Sequence, residues 1–459
     1  MSAASMEEPG SSTLEAASRT SPDDIIDPRH EKRNYWLTVI NGIMTGGPST
    51  LFDPNTVVAA FIIHLSGSQA LVGLVSGLVM LGHVWPQLFV ANWIEPKPKK
   101  LFVYHISTVL RLASLTTLGV LIWVFRDDLP GWFVYAMIGL LFAFWSAGGF
   151  SAVAWYDILS KTVYSYKRPV LFAWRQTGAG IIALLAGGVI TWALSPRSGL
   201  RYPLNYLFLL SLMTVLIAIG ILCFNLVVEP AETHAIKKRR PFREYLRLGP
   251  QIMREDHNYR RLFWGQITFS LAVMNTPFLV PFLIKDIRVD DSIIGMLMVV
   301  AAIADLLINV YWGQLGSRKG NRAVLVLGSK LSAFSPALAL GAVLLPRFAL
   351  FGVDIRIILV ALSLVMSRIA GSGLGVGRMN YLLDVAPLGM RPSYMGFMNT
   401  FSAVSMIIPM TAGSAIQLVG YWPVFALAVI FGIVCVRVTT NLDDVKFTSH
   451  PNGYRPEES

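Results

Sequence analysis

The chain has 459 residues, of which 54% are hydrophobic and only 14% charged, and its mean hydropathy is +0.57. A soluble domain carries about a quarter charged residues, so the composition excludes a water-soluble enzyme and implies a multispanning membrane protein. The net charge of +11 would suit nucleic acid, but Lys and Arg crowd into alternate loops, and the opposite loops hold only Arg126, Arg197, Arg201, Lys285, Arg288, Arg347 and Arg356; this pattern replaces nucleic acid with membrane lipid as the partner and places both termini in the cytoplasm.

Residues 1–33 are rich in Ser, Ala, Glu and Asp and lack an apolar run behind a basic start, so they read as a disordered cytoplasmic tail, not a cleaved signal peptide. Twelve apolar stretches follow, at roughly 34–64, 69–92, 101–125, 132–159, 170–195, 204–228, 260–285, 291–315, 323–346, 355–383, 393–418 and 421–439. Each is long enough, as a helix, to cross about 30 Å of hydrocarbon. In the first, Gly46-Gly47-Pro48 stands beside Ser49, Thr50, Asp53, Asn55 and Thr56. Those polar groups are costly against lipid and should face the protein interior, with the glycines as a hinge. Pro86, Pro277, Pro281, Pro336 and Pro409 permit kinks in later spans, for gating or for static packing. Cys223 and Cys435 both fall in spans, and no disulfide framework is implied.

Between the sixth and seventh spans, Glu229 to Arg261 is polar and dense in positive charge. It divides an N-terminal six-helix bundle (34–228) from a C-terminal one (260–439) through a cytoplasmic linker (229–259), and a cytoplasmic tail (440–459) closes the chain. Phe242 to Ile252 alternates well enough for an interfacial helix against anionic lipid, with a plain solvated linker as the equal alternative. The halves repeat one another. Leu71 to Leu74, "LVGL", recurs as Ile293 to Met296, "IIGM", a shift of 222 from Gly73 to Gly295, and Arg168-Pro169 recurs as Arg391-Pro392, a shift of 223. Helical membrane proteins made of two like halves usually carry a solute between them.

After the eighth span, Gly313 to Arg322 reads "GQLGSRKGNR". This loop resembles the major facilitator superfamily signature G-x-L-(G or A)-D-R-x-G-R, with Gly313, Leu315, Gly316, Arg318 and Gly320 in place, Arg322 one step late, and Ser317 where the family has Asp. The equivalent first-half loop, Ala91 to Lys100, has lost the glycines, yet the repeat puts Glu95 at the acidic position. The resemblance spans both halves and implies a transporter fold in which Glu95 meets the start of the eleventh span, at Pro392 and Ser393. A carboxylate at a helix N-terminus is favourable by about 0.3 to 1 kcal/mol, so Glu95 is either a latch of the cytoplasmic gate or a solvated loop charge. The family's Arg-and-Gly signature of the fourth span is absent from "FWSAGGF", and the antiporter glycine pattern of the fifth is incomplete, because Gly178 to Gly188 lacks its Pro.

Arg368 and Asp305 are the charges that most need explaining. Arg368 lies fourteen residues from Asp354, and Asp305 fourteen from Asp291, so both sit at similar depth in outward-starting helices and can pair. An ionisable group at that depth costs roughly 2.5 to 3.5 kcal/mol, which a static pair would relieve as well as a coupling pair. In the coupling reading, a substrate anion or a conformational change draws Arg368 away and Asp305 takes a proton. The glycines of "SRIAGSGLGVGR", Ser367 to Arg378, are small-xxx-small contacts; the spacing fails G-x-G-x-x-G, and no G-x-x-x-x-G-K followed by Ser or Thr occurs, which argues against a nucleotide-driven pump.

Asp157 and its repeat mate Asp384 end the fourth and tenth spans just before Arg168 and Arg391, a symmetry that favours gate scaffolding. Asp53, Asn55, Trp145, Arg175, Asn275, Asn309 and Asn380 are candidates for lining a solute cavity, although each also fits plain packing. His64, His83 and His105 lie on separate spans without ligand spacing, so neither a metal site nor a cofactor is expected. The expected protein is all-α, with twelve transmembrane helices in two pseudo-symmetric six-helix bundles. It is a monomeric secondary active transporter of a small-molecule solute in the plasma or bacterial inner membrane, working by alternating access with protons as the candidate coupling ion. A gradient-independent facilitator or exchanger is the alternative, as is a membrane sensor or enzyme on the same fold. An enzyme would need an acid, base or nucleophile cluster near one interface, and none is seen.

Overall fold

Hydrocarbon offers no partner for backbone N–H and C=O groups, so an apolar stretch that crosses it closes its hydrogen bonds within a helix. The computed structural model describes residues 26–94, 97–164, 167–230, 242–350, 353–386, 394, 397–399, 402, 405 and 407–444. Asp27 opens α1 (Pro28–Gly46): its carboxylate accepts from Arg29 N at 3.0 Å, and Pro28 sits in the first turn, where its missing N–H costs nothing. A 3-10 turn (Gly47–Phe52) and irregular backbone through Thr56 separate α1 from α2 (Val57–Ser66). The first span is therefore a broken helix at the Gly-Gly-Pro triplet.

Then come α3 (Gln69–Ile94), α4 (Leu101–Val124), α5 (Phe133–Thr162), α6 (Arg168–Leu194) and α7 (Leu204–Asn225). The linker forms α8 (Phe242–Glu255), with Ile252 buried, over the stretch where an interfacial helix was one of the two expectations. The next span breaks at Val273–Asn275 between α9 (His257–Ala272) and α10 (Thr276–Phe282), then ends in a π turn (Leu283–Ile287). Two spans run together as α11 (Ser292–Leu344), bent sharply at Gly320, whose φ of 82° and ψ of 165° lie outside the helical region. A short hairpin, Ala349–Leu350 against Val353–Asp354, leads into α12 (Ile355–Val385), and α13 (Ile407–Val419) and α14 (Tyr421–Thr440) close the order.

Among the described residues ten stretches are long and apolar enough to cross a membrane, with a shorter apolar helix at Met410–Val419, against the twelve expected from sequence. The difference has two causes. The first span is divided between α1 and α2, and the eleventh is described as a helix only over its last part.

The two halves meet at one end. Near the face opposite the termini, one continuous apolar core joins first-half residues such as Phe61, Val72 and Ile190 to second-half residues such as Phe278, Met298 and Ala412. A separate cluster, including Tyr259, Leu325, Tyr381 and Phe397, lies within the second half near the face that carries the termini. Close backbone approach makes the seam at the joined end. A Cβ on Gly295 of α11 would overlap Thr191 of α6, and one on Gly413 of α13 would overlap the Gln69 carbonyl at the start of α3.

Gly295→Val should therefore pry α11 from α6. Overpacking of this kind costs about 1 to 3 kcal/mol, charged against the closed seam alone. The expected result is faster labelling of a cysteine placed at Ser68 by a membrane-impermeant thiol reagent; an unchanged labelling rate would show that the seam does not depend on that contact.

Candidate functional site

The break in the first span sets Asp53 at the seam between the halves. Its Oδ1 accepts from Asn55 N at 3.0 Å and from Thr56 Oγ1 at 2.9 Å, which turns the second oxygen outward from the loop. That Oδ2 faces Arg368 Nη2 of α12 at 3.4 Å. Met298 of α11 fills in beneath, its sulfur 3.7 Å from Thr56 Oγ1 and 4.0 Å from Arg368 Nη2. Asn55 accepts from the Ser76 hydroxyl of α3, tying the irregular segment to a regular helix.

Arg368 thus pairs with Asp53, and this corrects the expectation of a pair with Asp305. Asp305 stands within electrostatic reach of Arg368, but the two form no ion pair within 4.0 Å. The physical reason is the non-helical backbone of residues 53–56, which carries a carboxylate out of its own bundle, whereas Asp305 is held on the regular part of α11.

The other cavity candidates divide. Asn309 on α11 and Asn380 on α12 are exposed. Asn275 is fully buried at the break between α9 and α10, and neither its side-chain nitrogen nor its oxygen has a hydrogen-bond partner. Arg175 of α6 donates to Thr38 O at 2.8 Å and lies 4.4 Å from the Trp155 ring centre, so it holds α1, α5 and α6 together. Trp145 is half-buried, edge-on to the His83 ring at 6.1 Å.

Polar contacts between the halves concentrate at the face opposite the termini. His64 Nε2 lies 2.7 Å from Asp291 Oδ2, which also accepts from Tyr206 Oη at 3.3 Å. Gln69 donates to Tyr421 Oη at 2.6 Å, Gln417 to Ser68 Oγ at 3.0 Å, and Lys285 to Gly67 O at 3.0 Å. Tyr202, in the loop beside His64, is partly desolvated, which raises its phenol above the usual range.

At the face of the termini the following polar contacts each stay within one half. Asp157 binds Lys100 Nζ at 2.5 Å and Lys161 Nζ at 2.6 Å. Glu229 accepts from Lys100 N and Leu101 N, both at 2.8 Å through Oε2, and lies 3.6 Å from Lys161 Nζ. Arg168 donates to Val163 O at 3.0 Å and Ser160 O at 2.9 Å. In the second half, Asp384 accepts from Asn321 Nδ2 at 2.7 Å, and Arg322 donates to Thr440 O at 2.8 Å, pinning the bend at Gly320 to the end of α14. Gly313 and Arg318 are exposed. Glu95 and Arg391 lie outside the described residues. The described contacts between the halves thus gather toward the face opposite the termini.

Sequence reasoning overlooked three features. Lys100, Lys161 and Glu229 read as loop charges, yet all three are buried. The His64–Asp291 contact joins residues 227 apart and leaves no local signal. Arg111, a lone arginine in the middle of α4, was legible as an intramembrane charge.

Residues 262–455 match the family model described as Major Facilitator Superfamily. No curated protein matches the chain in sequence. Solved structures of similar fold include the nucleoside transporter NupG in a mutant form, at 13% identity and a TM-score of 0.66, covering 89% of this chain and 99% of that one. A D-xylose-proton symporter gives 12% identity and 0.65, with 91% and 99% covered. A bacterial homologue of the iron transporter ferroportin in its inward-facing state gives 15% and 0.62, with 89% and 98% covered. The second half thus matches the Major Facilitator Superfamily model, both halves share the fold of these transporter structures, and the chain is a multi-pass membrane protein.

Proposed function

We propose that this protein is a secondary active transporter that moves a small solute by alternating access, the two six-helix bundles (34–228 and 260–439) rocking so that the Asp53–Arg368 contact forms and breaks. The observation that supports this reading is an ion pair between the halves at mid-depth, beneath polar contacts that join the halves at the face opposite the termini. With the termini cytoplasmic, as the positive-inside pattern suggests, those contacts close the outer side, and we read the conformation as one open toward the cytoplasm. When the bundles rock the other way, the seam opens and Arg368 and Asp53 separate. Either Asp53 or Asp305 can then accept a proton, which links proton movement to the conformational cycle. Gly313, Arg318, Gly320, Arg322, Asp157, Arg168 and Asp384, with Glu95 and Arg391, then serve as the cytoplasmic gate that closes in the alternate state. The transporter acts as a monomer and needs no cofactor.

A disulfide across the seam tests the cycle. Gln417 and Ser68 side chains meet at 3.0 Å, so Ser68→Cys with Gln417→Cys, in a background where Cys223 and Cys435 are replaced by alanine, should cross-link on oxidation. In proteoliposomes the oxidised protein should lose at least tenfold of its flux across a panel of labelled nucleosides, sugars and organic anions, and reductant should restore it. Full flux in the cross-linked protein would sink alternating access, and no flux of any solute before oxidation would sink transport of those classes.

A further inference from the structure

Among the described residues, the first half holds a buried arginine, Arg111, that no carboxylate pairs. Arg111 lies thirteen residues before the end of α4 at Val124, His83 fourteen after the start of α3 at Gln69, and Gly148 fifteen after the start of α5 at Phe133. At about 1.5 Å of rise per residue all three sit some 20 Å below the face opposite the termini, level with Asp53, Asp305 and Arg368. Arg111 Nε and His83 Nδ1 are each shut off from solvent and have no hydrogen-bond partner. They converge on one point: a Cβ built on Gly148 would lie 3.8 Å from His83 Nδ1 and 3.9 Å from Arg111 Nε. The guanidinium is steadied by the Phe144 ring, 4.8 Å from its centre, and the imidazole by the edge of Trp145.

Among the described residues no carboxylate comes within ion-pair distance of Arg111. Of the mid-depth carboxylates, Asp53 is occupied by Arg368 and Asp305 lies on the other half. Arg175, the other arginine within the spans of this bundle, is different in kind, because it spends its donors on the Thr38 carbonyl and Asn41. A guanidinium at mid-membrane with an idle Nε is costly in the empty state, and an arginine serving only to pack would be expected to have found a carbonyl or carboxylate. Guanidinium groups bind carboxylate and phosphate through paired N–H donors, and a neighbouring imidazole adds a third.

We propose that Arg111 and His83, facing each other over Gly148, form an anion site that takes a carboxylate or phosphoryl group. Resting on the transport reading above, it makes the cargo, or an ion that travels with it, anionic. The glycine is part of the site because it leaves the space that the anion fills. That chemistry has two sources: an organic acid or phosphate ester, and inorganic phosphate.

The test uses the purified full-length protein in detergent, with succinate, glucose 6-phosphate, inorganic phosphate and chloride as anionic probes and glucose and uridine as neutral ones. Thermal stabilisation should be confined to anions. Arg111→Gln should weaken the apparent affinity at least tenfold, and Arg111→Lys should retain part of it. Gly148→Ala keeps both charged partners, adds a Cβ that meets only ordinary contacts, and should weaken binding without lowering the melting temperature of the unliganded protein. Stabilisation by succinate or glucose 6-phosphate assigns an organic anion, stabilisation by inorganic phosphate alone assigns an inorganic one, and stabilisation by chloride alone overturns the site. Equal stabilisation by glucose or uridine, no stabilisation by any probe, or anion binding that survives both variants overturns the site. Proteoliposome flux separates this from the parent reading: neutral-solute flux untouched by Arg111→Gln removes the site and leaves transport standing, whereas anion binding without any flux removes transport and leaves the site.

Discussion

Glu229→Ala should be among the most destabilising single changes in the first bundle, lowering stability by about 3 to 5 kcal/mol, the range seen when one partner of a buried charge network is removed. Glu229 lies just past α7, and its side chain is 1% exposed. Its carboxylate meets two free N–H groups at the start of α4, Lys100 N and Leu101 N, where the positive end of the helix dipole favours an anion. One side chain thus fixes the end of α7 to the beginning of α4 and neutralises part of the charge on Lys161. Removing it strands two buried N–H donors and takes a carboxylate away from Lys161. The check is the apparent melting temperature in detergent, or the half-life at a fixed temperature if unfolding is irreversible. Glu229→Gln keeps one oxygen acceptor and should fall between wild type and alanine. Identical melting for all three proteins would show that the network contributes nothing.

The way this network escaped sequence reading explains which parts of the protein were legible. Span positions rest on composition averaged over about twenty residues, so α3 to α7 fall close to where hydropathy put them. The break in the first span was legible too, because Gly46-Gly47-Pro48 acts on the local backbone. Partners of charged groups are a different matter. Asp305 and Arg368 share a depth, and depth can be counted along a helix, but the rotation of each helix and the path of the Asp53 loop cannot. A carboxylate 315 residues away took the partnership that a one-dimensional count gave to Asp305. Lys100 and Lys161 carry the same blindness in reverse: the positive-inside rule explains why they are on that face and says nothing of their burial beside Asp157 and Glu229.

Neutralising either member of the Asp53–Arg368 pair should cost transport about a hundredfold, equivalent to about 2.7 kcal/mol at roughly 1.36 kcal/mol per decade. The pair joins the halves in the closed-seam state, so Arg368→Ala leaves Asp53 at mid-depth with only Asn55 N and Thr56 Oγ1 to satisfy it, and Asp53→Asn leaves Arg368 facing an amide. A purely structural pair and a working pair differ in the double variant. If the contact only holds the bundles together, Asp53→Ala with Arg368→Ala removes both charges, avoids the cost of an unpaired one, and should recover most of the flux. If separation of the charges is a step of the cycle, the double variant stays as slow as the singles, and its rate loses whatever pH dependence wild type shows. Initial rates across pH 5 to 8 for wild type, the two singles, the double and Asp305→Asn decide between these outcomes. A pH dependence lost in the Asp53 variants and kept in Asp305→Asn would place the proton on the loop carboxylate, the one that the broken first helix delivers to the seam.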